Sequence, residues 1–200
     1  MTLENRSIRL LGLDDIDPTA RLVRAEVRDG MGRIPEIDIE FVSDDFDLDP
    51  LKVIGQSLTV EASGGEDAAV RRFSGACLEL CFQGQLGRKA FFFAGVRPRP
   101  WSLTQTADCR IFEDKTTREI IVEVLRARAD YRFDLNFFTR RLPRPYCVQY
   151  RKTKFDFIYR LMVEEGMSCY VDHGVGTNCM VFIDDPAKLP RAGPSDRIDF

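Results

Sequence analysis

Residues 146–173 read Tyr146-Cys-Val-Gln-Tyr-Arg-Lys-Thr-Lys-Phe-Asp-Phe-Ile-Tyr-Arg-Leu-Met-Val-Glu-Glu-Gly-Met-Ser-Cys-Tyr-Val-Asp-His173. The grammar is strand, helix, strand. Tyr146, Val148 and Tyr150 alternate with Cys147 and Gln149, the period of an extended segment. Thr153 is placed to cap a helix, with Asp156 three residues on where a capping box usually has Glu or Gln. On the helix Phe155, Ile158, Tyr159 and Met162 form one apolar stripe, widened by Phe157 and Leu161, while Asp156, Arg160 and Glu164 face water. Gly166 stands where a left-handed C-terminal cap is wanted. Met167, Cys169 and Val171 then resume the alternation. The unit is shaped for packing.

Working outward, the chain of 200 residues is 44% hydrophobic and 30% charged, ordinary for a globular protein with a sizeable core. Fifteen Phe favour β-rich packing. With 29 Lys plus Arg against 32 Asp plus Glu, the net charge is −3, so no bulk attraction to nucleic acid or anionic membrane follows. The N-terminus lacks the basic-then-apolar design of a signal peptide, and no apolar run nears the ~20 residues that span a bilayer. Cytosolic synthesis is expected, and with it six reduced cysteines that serve as small buried hydrophobes. Cys77 and Cys81 share strand parity but lie ~13 Å apart along an extended chain, too far for a bridge.

Upstream, residues 6–13, 20–29 and 36–41 read as strands, the last with Ile37, Ile39 and Phe41 alternating against Glu36, Asp38 and Glu40. Asp45, Asp47 and Asp49 have the spacing that opens a calcium loop. Pro50 and Gln56 stand where that loop needs Gly and Glu, so the acids are assigned to the start of a short helix near 50–54. A strand at 57–62 precedes a long hairpin, 69–83 and 88–96, around Gly84-Gln-Leu-Gly87. That loop with Arg88 and Lys89 is too short for a phosphate-binding P-loop and reads as a basic tip. Pro98, Pro100 and Trp101 mark a boundary, giving units 1–97 and 98–200. Thr116-Thr-Arg-Glu119 is a capping box that opens a helix over about 116–128. The signature helix covers 154–165, and a last strand lies near 178–183. The end at Asp199-Phe200 reads as a truncation.

Candidate chemistry is sparse. His173 beside Asp172 reads as a surface or edge-strand residue, since strand neighbours face opposite ways. Cys147, Cys169, His173 and Cys179 lack the paired spacings of a zinc site. Glu164-Glu165 and Asp184-Asp185 read as a solvated helix end and a turn. No catalytic, metal or cofactor residue is assigned. One charge feature remains: Arg140, Arg141, Arg144, Arg151, Lys152 and Lys154, interleaved with Tyr146 and Tyr150. It suits either a partner-facing rim or a groove for single-stranded nucleic acid.

The Tyr146–His173 block resembles the signature of the VgrG spike-and-hub proteins of type VI secretion and of the late-control D baseplate hub proteins of contractile phage tails. Cys109-Arg-Ile-Phe-Glu-Asp-Lys-Thr-Thr-Arg-Glu-Ile-Ile121 is similar to the segment that precedes that signature. Pro100-Trp101, Asp47-Leu-Asp-Pro-Leu51, Gly55-Gln56, Arg72-Phe-Ser-Gly75 and Phe182-Ile-Asp-Asp-Pro186 fit in the same order. Only Tyr170 remains of the aromatic strand usual after Glu-Glu-Gly. The resemblance implies an α+β, mainly β fold of two barrel-like hub modules with short helices on the second. Tyr146, Tyr150, Phe155, Phe157, Leu161 and Gly166 would be its structural signature, and Arg140, Arg141, Arg144, Arg151 and Lys152 a partner-facing rim. It further implies a cofactor-free, non-enzymatic homotrimer that adapts a hexameric tail tube to a needle. Such a protein meets baseplate proteins, carries effectors or a tip protein on parts beyond these residues, assembles in the cytoplasm, and is expelled by contraction. Against it stands a small nucleic-acid-binding or catalytic domain built on residues 140–154.

Overall fold

A computed structural model describes residues 8–63, 70–126, 130–135, 142–174, 178–185 and 187. The chain divides into two compact units. Of the described residues, one holds those up to Arg28 and Pro35–Pro98, the other Asp29–Ile34 and those from Arg99 to 187.

The first unit is a six-stranded antiparallel sheet. Its strands are β1 (Ile8–Leu11), β2 (Arg21–Arg28), β3 (Glu36–Ser43), β4 (Ser57–Ala62), β5 (Arg71–Leu86) and β6 (Lys89–Arg97). The spatial order is β1-β4-β5-β6-β3-β2, and the edge strands β1 and β2 come together, so the sheet is a nearly closed barrel. The alternation read in β3 is obeyed: Ile37, Ile39 and Phe41 are fully buried while Glu36, Asp38 and Glu40 face outward. Leu58, Val60, Ala94 and Val96 fill the interior with them, and Phe41 stacks on Phe92 at 5.4 Å. Outside, Arg24, Arg28 and Arg97 pair with Glu26, Glu36, Asp38 and Glu40 across β2, β3 and β6. The exposed pairs of Arg24 and Arg28 contribute little each, while Arg97 and Asp38 are mostly shielded from solvent. The acidic stretch starts a helix as expected: Asp49 caps α1 (Pro50–Val53) by accepting from Leu51 N.

The hairpin differs from its sequence reading. β5 runs on through Gly84 to Leu86, and the turn is Gly87-Arg88. Irregularities between Cys77 and Glu79 and between Phe82 and Gly84 shift the register. The first undoes the shared parity of Cys77 and Cys81, so Cys77 is buried and Cys81 exposed. Cys109 is exposed as well and Cys179 is half-buried, two further departures from six buried thiols; all six are free.

The second unit is not a second barrel among the described residues. After a 3-10 turn (Arg99–Thr104), β7 (Ala107–Lys115) pairs with β9 (Arg144–Thr153) as a separate antiparallel ribbon. β10 (Ser168–Asp172), β11 (Cys179–Ile183) and β8 (Asp130–Asp134) form a three-stranded sheet in which β8 runs parallel to β11. Helices α2 (Thr117–Leu125) and α3 (Lys154–Glu164) supply the rest of the core. Among the described residues one barrel-like sheet is therefore present where two were expected. In the second unit, helix faces do the burying that further strands do in a barrel.

Both helices start as their caps dictate. Thr116 and Glu119 complete a reciprocal capping box, and Thr153 accepts from Asp156 N. α2 ends at Leu125, short of 128, because Arg126 leaves helical geometry. On α3 the buried face is Phe157, Ile158, Leu161 and Met162, and Phe157 stacks on Phe112 at 5.6 Å. Tyr159, expected in the stripe, is 45% exposed, and Phe155 is half-buried. Gly166 takes φ +69°, the left-handed conformation read from its position. Among the described residues no helix is long and apolar enough to cross a membrane.

Two carboxylates on α2, Glu119 of the capping box and Glu123, are expected to tie the stability of the second unit to pH. Hydrogen bonds from the Thr116 backbone and hydroxyl hold Glu119 below its ordinary 4.5, and a hydrogen bond from Lys115, with the Lys115 and Arg110 charges, does the same for Glu123. Lowered folded-state values stabilise the fold above the unfolded value, and that contribution is lost as the pH falls through the folded values. The melting temperature should therefore hold from neutrality to about pH 4.5 and decline below it. Glu119→Gln with Glu123→Gln should flatten the decline; an unchanged profile would count against these two carboxylates.

Candidate partner-binding surface

The ribbon β7–β9 owes its two faces to strand alternation. Cys147 and Gln149 point inward and are buried, while Tyr146 and Tyr150 point outward and are 59% and 63% exposed. Opposite them, Tyr146 pairs with Glu113, Val148 with Ile111 and Tyr150 with Cys109. Ile111 is itself 60% exposed, so the outer face carries an aliphatic side chain among two aromatic rings. Sequence reading missed Ile111. The signal was its parity: Phe112, next along the strand, is the inward residue.

The far end of the ribbon is pinned from beneath. Gln149, with no exposed surface, donates from Nε2 to the Lys152 carbonyl at 2.9 Å. Between them Arg151 sits at φ +49°, a left-handed conformation uncommon for a residue with a side chain. Its guanidinium lies 5.3 Å from the Tyr150 ring centroid. Arg160 on α3 donates to the Val148 carbonyl at 2.9 Å, tying helix to strand.

The basic residues do not act as one array. Arg151 and Lys152 are exposed. Lys154 is 9% exposed and donates to Thr106 Oγ1 at 2.9 Å. Arg144 is turned into the unit: Nη1 donates to Glu164 at 2.6 Å, Nη2 to Glu165 at 2.6 Å and Nε to Thr117 Oγ1 at 3.0 Å. Arg140 and Arg141 lie outside the described residues. Of the signature residues, Phe157 and Leu161 are core, Tyr146 and Tyr150 are surface, and Gly166 is a cap.

Among the described residues no group of three His, Cys, Asp or Glu is placed to hold a metal. Burial pushes the Cys169 thiol up to about 12, which keeps it protonated and unreactive. His173, expected at the surface, is 9% exposed, because it shares the inward parity of Cys169 and Val171. What the unit offers outward is an aromatic and basic sheet face.

Residues 28–199 match the family model of the phage tail baseplate hub (GPD). The chain belongs to that baseplate hub family. The type VI secretion system spike protein VgrG1a of Pseudomonas aeruginosa is 36% identical over 172 residues, covering 82% of this chain and 25% of that protein. This hub-family chain thus spans about a quarter of the length of that curated relative. Among solved structures, a type VI secretion component of E. coli aligns with TM-score 0.69 at 21% identity, covering 86% of this chain and 50% of that one. The 43 kDa tail protein of prophage MuSo2 from Shewanella oneidensis aligns with TM-score 0.58 at 16% identity, over 88% and 52%. Those two likenesses concern the fold.

Proposed function

We propose that this chain is a hub segment of a contractile injection machine: a structural, non-enzymatic part of a type VI secretion spike. It would act as a homotrimer that adapts a hexameric tail tube to a threefold needle. The observation that carries this is the hub-family match from residue 28 to 199, which runs through both compact units. The 36% identity to a VgrG spike protein favours the secretion spike over the closely related phage tail hub.

In this reading residues 1–97 and 98–200 serve as two hub modules of different build, and three copies present two modules each to a sixfold ring. Phe155, Phe157, Leu161 and Gly166 hold the second module rigid, and Tyr146, Tyr150, Arg151 and Lys152 meet protein surfaces. Arg140 and Arg141 belong with Arg151 and Lys152 to the partner-facing basic rim, while Arg144 braces the start of β9 from inside. The work is transmission of force through packed interfaces, without turnover or cofactor. Baseplate proteins are further partners, and effectors or a tip protein ride on other parts of the machine. Assembly takes place in the cytoplasm and contraction expels the product.

The test is co-sedimentation with rings of the tube protein. The chain should pellet with the rings. Titration with a single-stranded oligonucleotide should show no salt-sensitive affinity. Failure to pellet, with a steep salt slope lost on Arg151→Ala plus Lys152→Ala, would instead establish a nucleic-acid-binding domain.

A further inference from the structure

The outer face of the β7–β9 ribbon presents Ile111, Tyr146 and Tyr150, each more than half exposed, with Arg151 and Lys152 at one end. Tyr and Arg are the residue types that dominate interface energies, and here the Arg lies against a Tyr ring on a backbone fixed by buried Gln149. Asp108, opposite Lys152, accepts from the Cys109 amide at 2.9 Å, and the exposed Glu113 of the same face lies opposite Tyr146, at the other end of the ribbon from Arg151 and Lys152. The face therefore fits an acidic segment with an apolar side chain to set among the rings.

Such a segment exists on the same chain. Asp44, Asp45 and Asp47 are exposed around Phe46, itself 43% exposed although a large aromatic. The loop is held in shape from within. Asp44 N donates to Thr19 Oγ1 at 3.0 Å, Asp45 N to Ser43 Oγ at 2.8 Å and Asp47 N to Asp45 Oδ1 at 2.9 Å. Lys89 pairs with Asp44, leaving Asp45 and Asp47 as the outward charges. A preformed loop loses little entropy on docking.

We propose that the ribbon face of one copy receives the Asp44–Asp47 loop of the next copy, with Asp45 and Asp47 facing Arg151 and Lys152 and Phe46 set against Tyr146, Ile111 and Tyr150. Donor loop and acceptor face are different surfaces, so the contact is head-to-tail, the kind that forms a ring where its rotation closes. This rests on the homo-oligomeric hub reading and names the surfaces that would join its copies.

The test is sedimentation of the chain over a wide concentration range, at low and high salt. Wild type should self-associate, less so at high salt. Arg151→Glu with Lys152→Glu, and separately Asp45→Lys with Asp47→Lys, should each weaken association by about tenfold or more. All four together should restore it. Tyr150→Ala, which changes no charge, should also weaken it, and thermal melts confirm that each variant is folded. Self-association unchanged by the swaps and by Tyr150→Ala would overturn the proposal and leave the oligomeric hub standing. A chain that stays monomeric throughout would overturn both. Oligonucleotide binding lost with Arg151→Glu and Lys152→Glu, without any effect on association, would assign the face to nucleic acid instead.

Discussion

Phe157→Ala and Leu161→Ala are each expected to destabilise the second unit by about 2–5 kcal/mol. Phe157 is 1% exposed and Leu161 fully buried, in a core shared with Phe112, Ile120, Ile121 and Val124. Truncation removes the transfer free energy of the lost carbons and leaves a cavity that packed neighbours fill only in part. Phe157 also loses its stacking on Phe112 and its place beneath the Arg160 guanidinium, 5.4 Å from the ring centroid. For a unit of roughly 100 residues this corresponds to a fall in melting temperature of about 10 °C or more. Tyr159→Ala is the control: that side chain is 45% exposed, so a much smaller shift is expected. A shift of less than about 2 °C for Phe157→Ala and Leu161→Ala would show that α3 is not packed as described.

Arg144→Met is the second large effect. α3 ends on Glu164 and Glu165, two carboxylates at the helix terminus where the backbone dipole already disfavours negative charge. The Arg144 guanidinium offsets this by bonding to both while its Nε holds Thr117 at the start of α2. One side chain thus ties the beginning of β9 to the ends of both helices. Breaking a fully buried ion pair costs about 3–5 kcal/mol; here the Arg144 side chain is 27% exposed and Glu165 9%, so about 2–4 kcal/mol is expected. Arg144→Lys should recover less than half, because one ammonium does not span three acceptors in a planar fan. Denaturant midpoints give the comparison. A loss below about 0.5 kcal/mol for Arg144→Met would remove this residue from the account.

How much of this was legible in the sequence depended on whether local rules decided the outcome. Alternation alone assigned the burial of Ile37, Ile39, Phe41, Met167, Cys169 and Val171, and capping chemistry fixed the starts of α1, α2 and α3. These signals are local and the fold obeys them. The misreadings share a cause, since each concerned a non-local choice. The irregularity after Cys77 that exposes Cys81 is set by pairing of β5 with β6, not by the residues of β5. Tyr159 leaves the stripe because the partner face takes Phe157 and Leu161. His173 is inward because the parity set by Cys169 extends through it. Arg144 looked like one of six surface cations, and only the tertiary approach of Glu164, Glu165 and Thr117 draws it in. The second barrel was an implication of resemblance rather than of pattern, and the described residues of that unit pair as a ribbon and a three-stranded sheet instead. For the candidate site, sequence gave Tyr146, Tyr150, Arg151 and Lys152, but the exposure of Ile111 needed the register with Val148.

The central claim is that these surfaces were built to pack against protein and bear load. Hydrogen exchange on the chain, alone and mixed with tube-protein rings, tests it most directly. Slowed exchange along the exposed strands of the hub units is expected when rings are present, with the cores protected in both samples. Identical exchange with and without rings, alongside protection by a small molecule, a metal ion or an oligonucleotide, would contradict it.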